Sequence, residues 1–187
     1  MPFHEITARG KKWICLTDIS SKADESLYEH GKVLYERLFT EVEKEDYQNF
    51  RHYLADTAVE RLRPDRAETI DTLFLALEEK SGQPKGFLYS SWYPPLGLVF
   101  VPYVGFLDNR SPQFFAGVPE VITKEREYVG LAGKPIEALL FELETFDPLH
   151  LAPSSIRAMW TPDQKTANKR AQLTRVYQGK GGAWLTE

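Results

Sequence analysis

Five consecutive apolar residues, Leu73-Phe74-Leu75-Ala76-Leu77, sit inside the segment Thr69 to Glu79. A run this short and this continuous cannot face water on either side for long, so it predicts a central strand. Turn signals follow at Ser81-Gly82-Gln83-Pro84 and at Pro94-Pro95-Leu96-Gly97. They set off two further strands, Gly86 to Tyr93 and Leu98 to Leu107. Turns this short join neighbours that run in opposite directions, so the three strands predict an antiparallel meander. Pro102 lies inside the last of them and has no N–H to give to a ladder, which predicts a bulge or splay near Val101 to Tyr103.

Upstream, Lys12 to Ile19 mixes aromatic and branched residues before a Ser-Ser-Lys-Ala-Asp break and reads as a first strand. Leu27, Gly31, Leu34, Tyr35 and Leu38 then recur at helical spacing behind Asp24, a candidate N-cap. Thr40 with Glu43 forms a capping-box signal, and Tyr47, Phe50, Leu54 and Ala58 make the stripe of a second helix. Downstream of the meander, Pro119 suits the first position of a helix carrying Val121, Ile122, Glu125, Tyr128 and Val129, closed by Gly130 or Gly133. Ala138 to Thr145 is the fifth strand. A helical crossover between the fourth and fifth strands is long enough for a parallel pair. Ser154 to Trp160 reads as a short helix in a proline-rich loop, Thr166 to Tyr177 as a helix, and Ala183 to Thr186 as a last strand.

The 187 residues fall within the range of one domain, 1–187. A net charge of −4 with dispersed basic residues gives no footprint for nucleic acid. Cys15 is the single cysteine, so there is neither an intramolecular disulfide nor a multi-cysteine zinc site, and a cytoplasmic setting is the simplest reading. His4, His30 and His52 have no ligand spacing and imply no metal. No apolar run reaches the roughly 20 residues that a membrane-spanning helix needs, and no signal-peptide core is present. Aromatic residues crowd the central third, as a large aromatic core or as an aromatic-lined pocket.

The order strand, two helices, three-strand meander, helix, strand, helix, strand resembles the GNAT superfamily of acyl-CoA-dependent acyltransferases. Gly86-Phe87-Leu88-Tyr89 with Tyr93-Pro94 is similar to the third strand of bacterial members. Leu139-Leu140-Phe141-Glu142-Leu143-Glu144 is similar to their fifth, and Arg175-Val176-Tyr177 with Gly181 to the run before their final strands. The resemblance implies an α+β fold with a mixed, mostly antiparallel central sheet, flanked by helices and splayed between the fourth and fifth strands. It also implies acetyl-CoA or another acyl-CoA as cofactor, with its pantetheine arm along the backbone of Tyr103, Val104, Gly105, Phe106 and Leu107. Its pyrophosphate would lie on the loop containing Arg110, Ser111 and Gln113. That loop departs from the family, because Gln113 and Phe115 stand where two glycines are usual and Pro112 removes a donor.

Acyl transfer to an amine needs a base for the ammonium proton and an acid for the leaving thiolate. The resemblance points to Tyr177 as the acid, although a core tyrosine anchored by its hydroxyl has the same signature. Glu142 and Glu144 share one face of the fifth strand and are candidates for the base, or for a salt bridge. His150, in the loop that follows, is a further candidate contact. The function expected is transfer of an acetyl or other acyl group to the amine of a small molecule, by a monomer or homodimer. The alternative is a GNAT-like domain that has lost its cofactor and serves as a ligand-binding or protein-interaction module through Phe114 and Phe115.

Overall fold

The computed structural model describes residues 3–39, 44–58, 60, 66–107, 116–128 and 136–141. The chain parts into two compact units, Met1–Glu142 and Leu143–Glu187, and every described residue belongs to the first. That unit holds β1 (Phe3–Ala8), β2 (Lys11–Leu16), α1 (Lys22–Leu38), α2 (Gln48–Ala58), β3 (Ile70–Leu77), β4 (Pro84–Tyr93), β5 (Leu98–Phe106), α3 (Val118–Tyr128) and β6 (Ala138–Phe141). The six strands form one open sheet in chain order. β1 to β5 pair antiparallel, and β5 and β6 pair parallel across the α3 crossover. The fold among the described residues is therefore mixed α+β, with a mostly antiparallel sheet and three helices.

β3 is buried along its whole length, as its unbroken apolar run predicts. Alternation along the strands sorts the core into two layers. Ile14, Leu16, Leu73, Leu75, Leu77, Phe87 and Tyr89 join Tyr28, Leu34 and Tyr35 of α1 and Phe50 and Leu54 of α2 in one apolar cluster. The opposite face carries Trp13, Phe74, Ala76 and Leu88, all fully buried, and there Thr72 Oγ1 donates to Glu125 Oε1 of α3 at 3.2 Å.

Two features differ from expectation. β2 is not the first strand, because β1 precedes it in a hairpin whose turn residues Arg9 and Gly10 have φ of 50° and 72°. Such a two-residue turn needs positive φ at both positions, and Asn-Gly is its usual signature rather than Arg-Gly. α3 holds this hairpin in place: Lys124 Nζ donates to Thr7 O at 2.7 Å, and the Arg9 N–H donates to Glu120 Oε2 at 3.3 Å. The second difference is the N-cap of α1, which is Ser21 rather than Asp24. Ser21 Oγ accepts from the Asp24 N–H at 3.2 Å, and Asp24 Oδ2 accepts from the Ser21 N–H at 2.9 Å, so Asp24 completes a capping box.

The loop between α1 and α2 is fastened by a reciprocal tyrosine pair. Tyr28 Oη donates to Tyr47 O at 2.6 Å and Tyr47 Oη donates to Tyr28 O at 2.9 Å. Gly31 makes room for this, since a Cβ there would lie 2.5 Å from Tyr47 Oη. The capping pair Thr40 and Glu43 lies outside the described residues.

Candidate functional site

Pro102 marks an irregularity in β5. Tyr89 pairs with Tyr103 and Ser91 with Phe100, so Val101 and Pro102 together stand opposite Ser90 alone. This is the bulge expected from a proline within the strand. The parallel ladder to β6 is described from Leu98↔Ala138 to Val101↔Phe141, so it reaches the bulge and β5 continues beyond it.

Five expected cofactor contacts lie on this continuation, and their side chains are divided between the two faces. Tyr103 packs among Tyr35, Phe39 and Phe50, with ring centroids 5.2, 5.3 and 5.5 Å away. Gly105 faces the end of α1, where a Cβ would sit 3.3 Å from Leu38 Cδ1 and 3.4 Å from Phe39 Cζ. Phe106 is 4% exposed and meets Trp13 edge-on at 5.9 Å. Val104 is half-buried, and the Leu107 N–H donates to Lys85 O at 2.9 Å. Gly105 therefore leaves no room for a ligand on its helix-facing side. Ala116 and Gly117 directly precede the first turn of α3, where Val121 N–H donates to Gly117 O at 2.9 Å.

Arg110, Ser111, Gln113, Phe114, Phe115, Glu142, Glu144, His150 and Tyr177 lie outside the described residues, as do the elements expected after residue 145.

A polar cluster not singled out in the sequence occupies the α1 and α2 face beside the bulge. Asp71 is 6% exposed, and its carboxylate Oδ1 accepts from Ser91 Oγ at 2.5 Å across the β3–β4 pair. Its own N–H donates to Thr57 Oγ1 at 3.2 Å, and Thr57 Oγ1 donates to Tyr53 O at 2.9 Å, so α2 is pinned above this end of the sheet. Tyr53 Oη donates to Glu45 Oε2 at 3.1 Å, and its ring lies 6.4 Å from that of Tyr89. Tyr89 is 3% exposed. Its hydroxyl lies beside the Asp71 carboxylate and the Ser91 hydroxyl and interacts with both.

The electrostatics of the cluster follow from burial beside negative charge. Desolvation first, and then the Asp71 carboxylate, hold the Tyr89 phenol far above the ordinary tyrosine range. Desolvation and then Glu45 push Tyr53 upward, with Asp71 adding to the shift. Tyr35 is raised by burial and next by its hydrogen bond with Tyr103. These phenols are neutral donors at physiological pH, set between two carboxylates. One signal in the sequence could have revealed the site, namely an acidic residue, Asp71, within a strand otherwise built for full burial.

Among the described residues no group of three or more His, Cys, Asp or Glu side chains could hold a metal, and no helix is long and apolar enough to cross a membrane. Cys15 is buried in β2. Comparison with known proteins finds no family model, no curated protein and no solved structure that matches this chain.

Proposed function

We propose that this chain is a GNAT-like acyltransferase that passes an acetyl or other acyl group from acyl-CoA to the amine of a small molecule. The observation that carries the reading is the single parallel step in an otherwise antiparallel sheet, between β5 and β6, with the β5 bulge at the end of its described ladder. A bulge turns a strand away from its neighbour. The backbone beyond it, residues 102–107, would then accept the amide-rich arm of the cofactor in the manner of an added strand. Gly105 closes the α1 side of that backbone, and the small residues Ala116 and Gly117 lead into a helix N-terminus able to receive phosphate oxygens, although Gln113 and Phe115 precede them where glycines are usual and Pro112 removes a donor.

Acyl-CoA, when bound, would supply the activated acyl group. Arg110, Ser111 and Gln113 would meet its phosphates, Glu142 or Glu144 would take the ammonium proton, and Tyr177 would return a proton to the departing thiol. Sheet topology alone does not assign a reaction, so the test addresses the site. Isothermal titration of the full chain with acetyl-CoA should show saturable binding. At about 100 times the dissociation constant it should also raise the unfolding free energy by about 2.7 kcal/mol. No binding at millimolar acetyl-CoA overturns the proposal.

A further inference from the structure

β1 closes the described sheet at one end, and the backbone of such a strand is a template for pairing with another chain. Thr7 O accepts from Lys124 Nζ of α3 at 2.7 Å, so this carbonyl points away from β2. Backbone groups alternate sides along an antiparallel ladder, and Glu5 therefore also turns its N–H and C=O outward. The side chains of Glu5 and Thr7 are exposed, so nothing in the fold covers this edge at its middle. What stands at the edge is one ammonium group.

Lys124 is held in place from below. Its Nζ lies 2.9 Å from Glu120 Oε1, and Glu120 Oε2 accepts from the Arg9 N–H at 3.3 Å, so one carboxylate anchors both the lysine and the turn that ends β1. Two antiparallel, two-fold registers between β1 and β1 of a second copy overlap most of the strand. One sets Glu5 opposite Glu5 of the copy, and like charges directly opposite are destabilising. Lys12 lies 3.5 Å from Glu5, an exposed contact too weak to cancel that repulsion. The other register sets Glu5 opposite Thr7 of the copy and carries no charge conflict. It needs Thr7 O as the acceptor for the incoming Glu5 N–H. Neighbouring strands lie about 4.8 Å apart, so an ammonium 2.7 Å from that carbonyl competes with an arriving strand and would lose its water on pairing.

We infer that Lys124 guards the β1 edge, keeping this surface from forming a continuous antiparallel sheet with β1 of a second copy of the chain. With the guard removed, the pairing is isologous and closes as a dimer. This inference is independent of the acyltransferase reading.

The test is amide hydrogen exchange, read by NMR on the full chain at about 10 μM and about 1 mM protein. Lys124→Met keeps the unbranched stem and the helix propensity while deleting the donor, at a side chain that is 43% exposed, so α3 should stay folded. In this variant the Glu5 and Thr7 amides should exchange at least about twofold more slowly at the higher concentration, the protection expected when half the chains are paired. The sedimenting mass should rise toward that of a dimer. Wild type and Lys124→Arg should show the same exchange at both concentrations. Adding Thr7→Pro to Lys124→Met removes an outward N–H without touching the β1–β2 ladder and should restore the monomer. Exchange at Glu5 and Thr7 that is independent of concentration in Lys124→Met overturns the inference, whether or not the variant associates through another face. Concentration-dependent protection of the same amides in wild type overturns it as well, because the edge would then be open with Lys124 in place.

Discussion

Gly86 carries the tightest packing constraint in the described sheet, and Gly86→Ala should destabilise the protein although strand propensity predicts the opposite. A Cβ on Gly86 would lie 2.2 Å from Phe106 Cδ1 and 2.3 Å from Cε1, with Ala76 Cβ at 2.9 Å. Carbon atoms in contact sit about 3.5–4.0 Å apart, so the ring would have to retreat by more than about 1 Å. It has little room for this, being buried against Trp13 and tied to Gly86 itself by the β4–β5 register. Replacing a strand glycine by alanine would by itself gain about 0.5–1 kcal/mol. Overfilling a packed site costs about 1–3 kcal/mol. The retreat required puts the cost in the upper part of that range, about 2–3 kcal/mol, so the net expectation is a loss of about 1–2.5 kcal/mol, read as a fall of roughly 0.5–1.2 M in the urea midpoint at a slope of about 2 kcal/mol per M. Phe106→Leu in the same chain should recover part of that loss, giving a coupling of at least about 0.5 kcal/mol in a double-mutant cycle. Gly82→Ala is the control: nothing lies within 4 Å of its Cβ and its φ is 65°, so it should cost about 1 kcal/mol without any coupling to Phe106. An unchanged or raised midpoint for Gly86→Ala, or strict additivity with Phe106→Leu, would refute the packing argument.

Three further outcomes follow from the same contacts. Ser21→Ala removes half of the capping box of α1 and should cost about 1 kcal/mol in urea unfolding, with Ser21→Thr close to wild type. Tyr28→Phe leaves the buried Tyr47 carbonyl without its 2.6 Å donor and should cost about 1–3 kcal/mol, measured the same way. Alkaline pH should also unfold the protein. Burial, opposed by Arg51, raises Tyr28 to about 12, and burial holds Tyr35, Tyr47 and Tyr89 higher still, whereas unfolded tyrosines ionise near about 10. Above pH 10 the unfolded chain therefore binds fewer protons than the native one. Stability is fully present below that pH and falls as pH rises through 12. Tyrosinate absorbance near 295 nm should show a normal fraction titrating near pH 10 and a cooperative remainder coinciding with loss of far-ultraviolet circular dichroism. Titration of all tyrosines near pH 10 in a folded protein would contradict the burial assigned here.

What the sequence conveyed and what it withheld divide along physical lines. β3, β4 and β5 were legible because local signals agreed: an apolar run, proline and glycine at the turns, and a proline that had to interrupt a ladder. The bulge at Val101 and Pro102 followed from one missing N–H. β1 was missed because the signature of its turn is backbone conformation rather than residue type, and Arg9 adopts positive φ without being glycine or asparagine. The alternation of buried Ile6 and Ala8 with exposed Glu5 and Thr7 was the available sign, short enough to pass as a tail. The Asp71 cluster was hidden for a different reason. Its members come from the segment before α2, from α2, from β3 and from β4, and no spacing along the chain records that Tyr53 lies over Tyr89 or that Ser91 faces Asp71. Only the antiparallel register brings Asp71 and Ser91 opposite each other, and only the packing of α2 on the sheet adds Tyr53, Thr57 and Glu45. A charged residue in a strand buried on both faces is costly unless something repays its desolvation. In this fold the Ser91 hydroxyl, bonded to Asp71 Oδ1, repays part of it, and the Tyr89 hydroxyl lies beside the same carboxylate, which makes Asp71 compatible with the core.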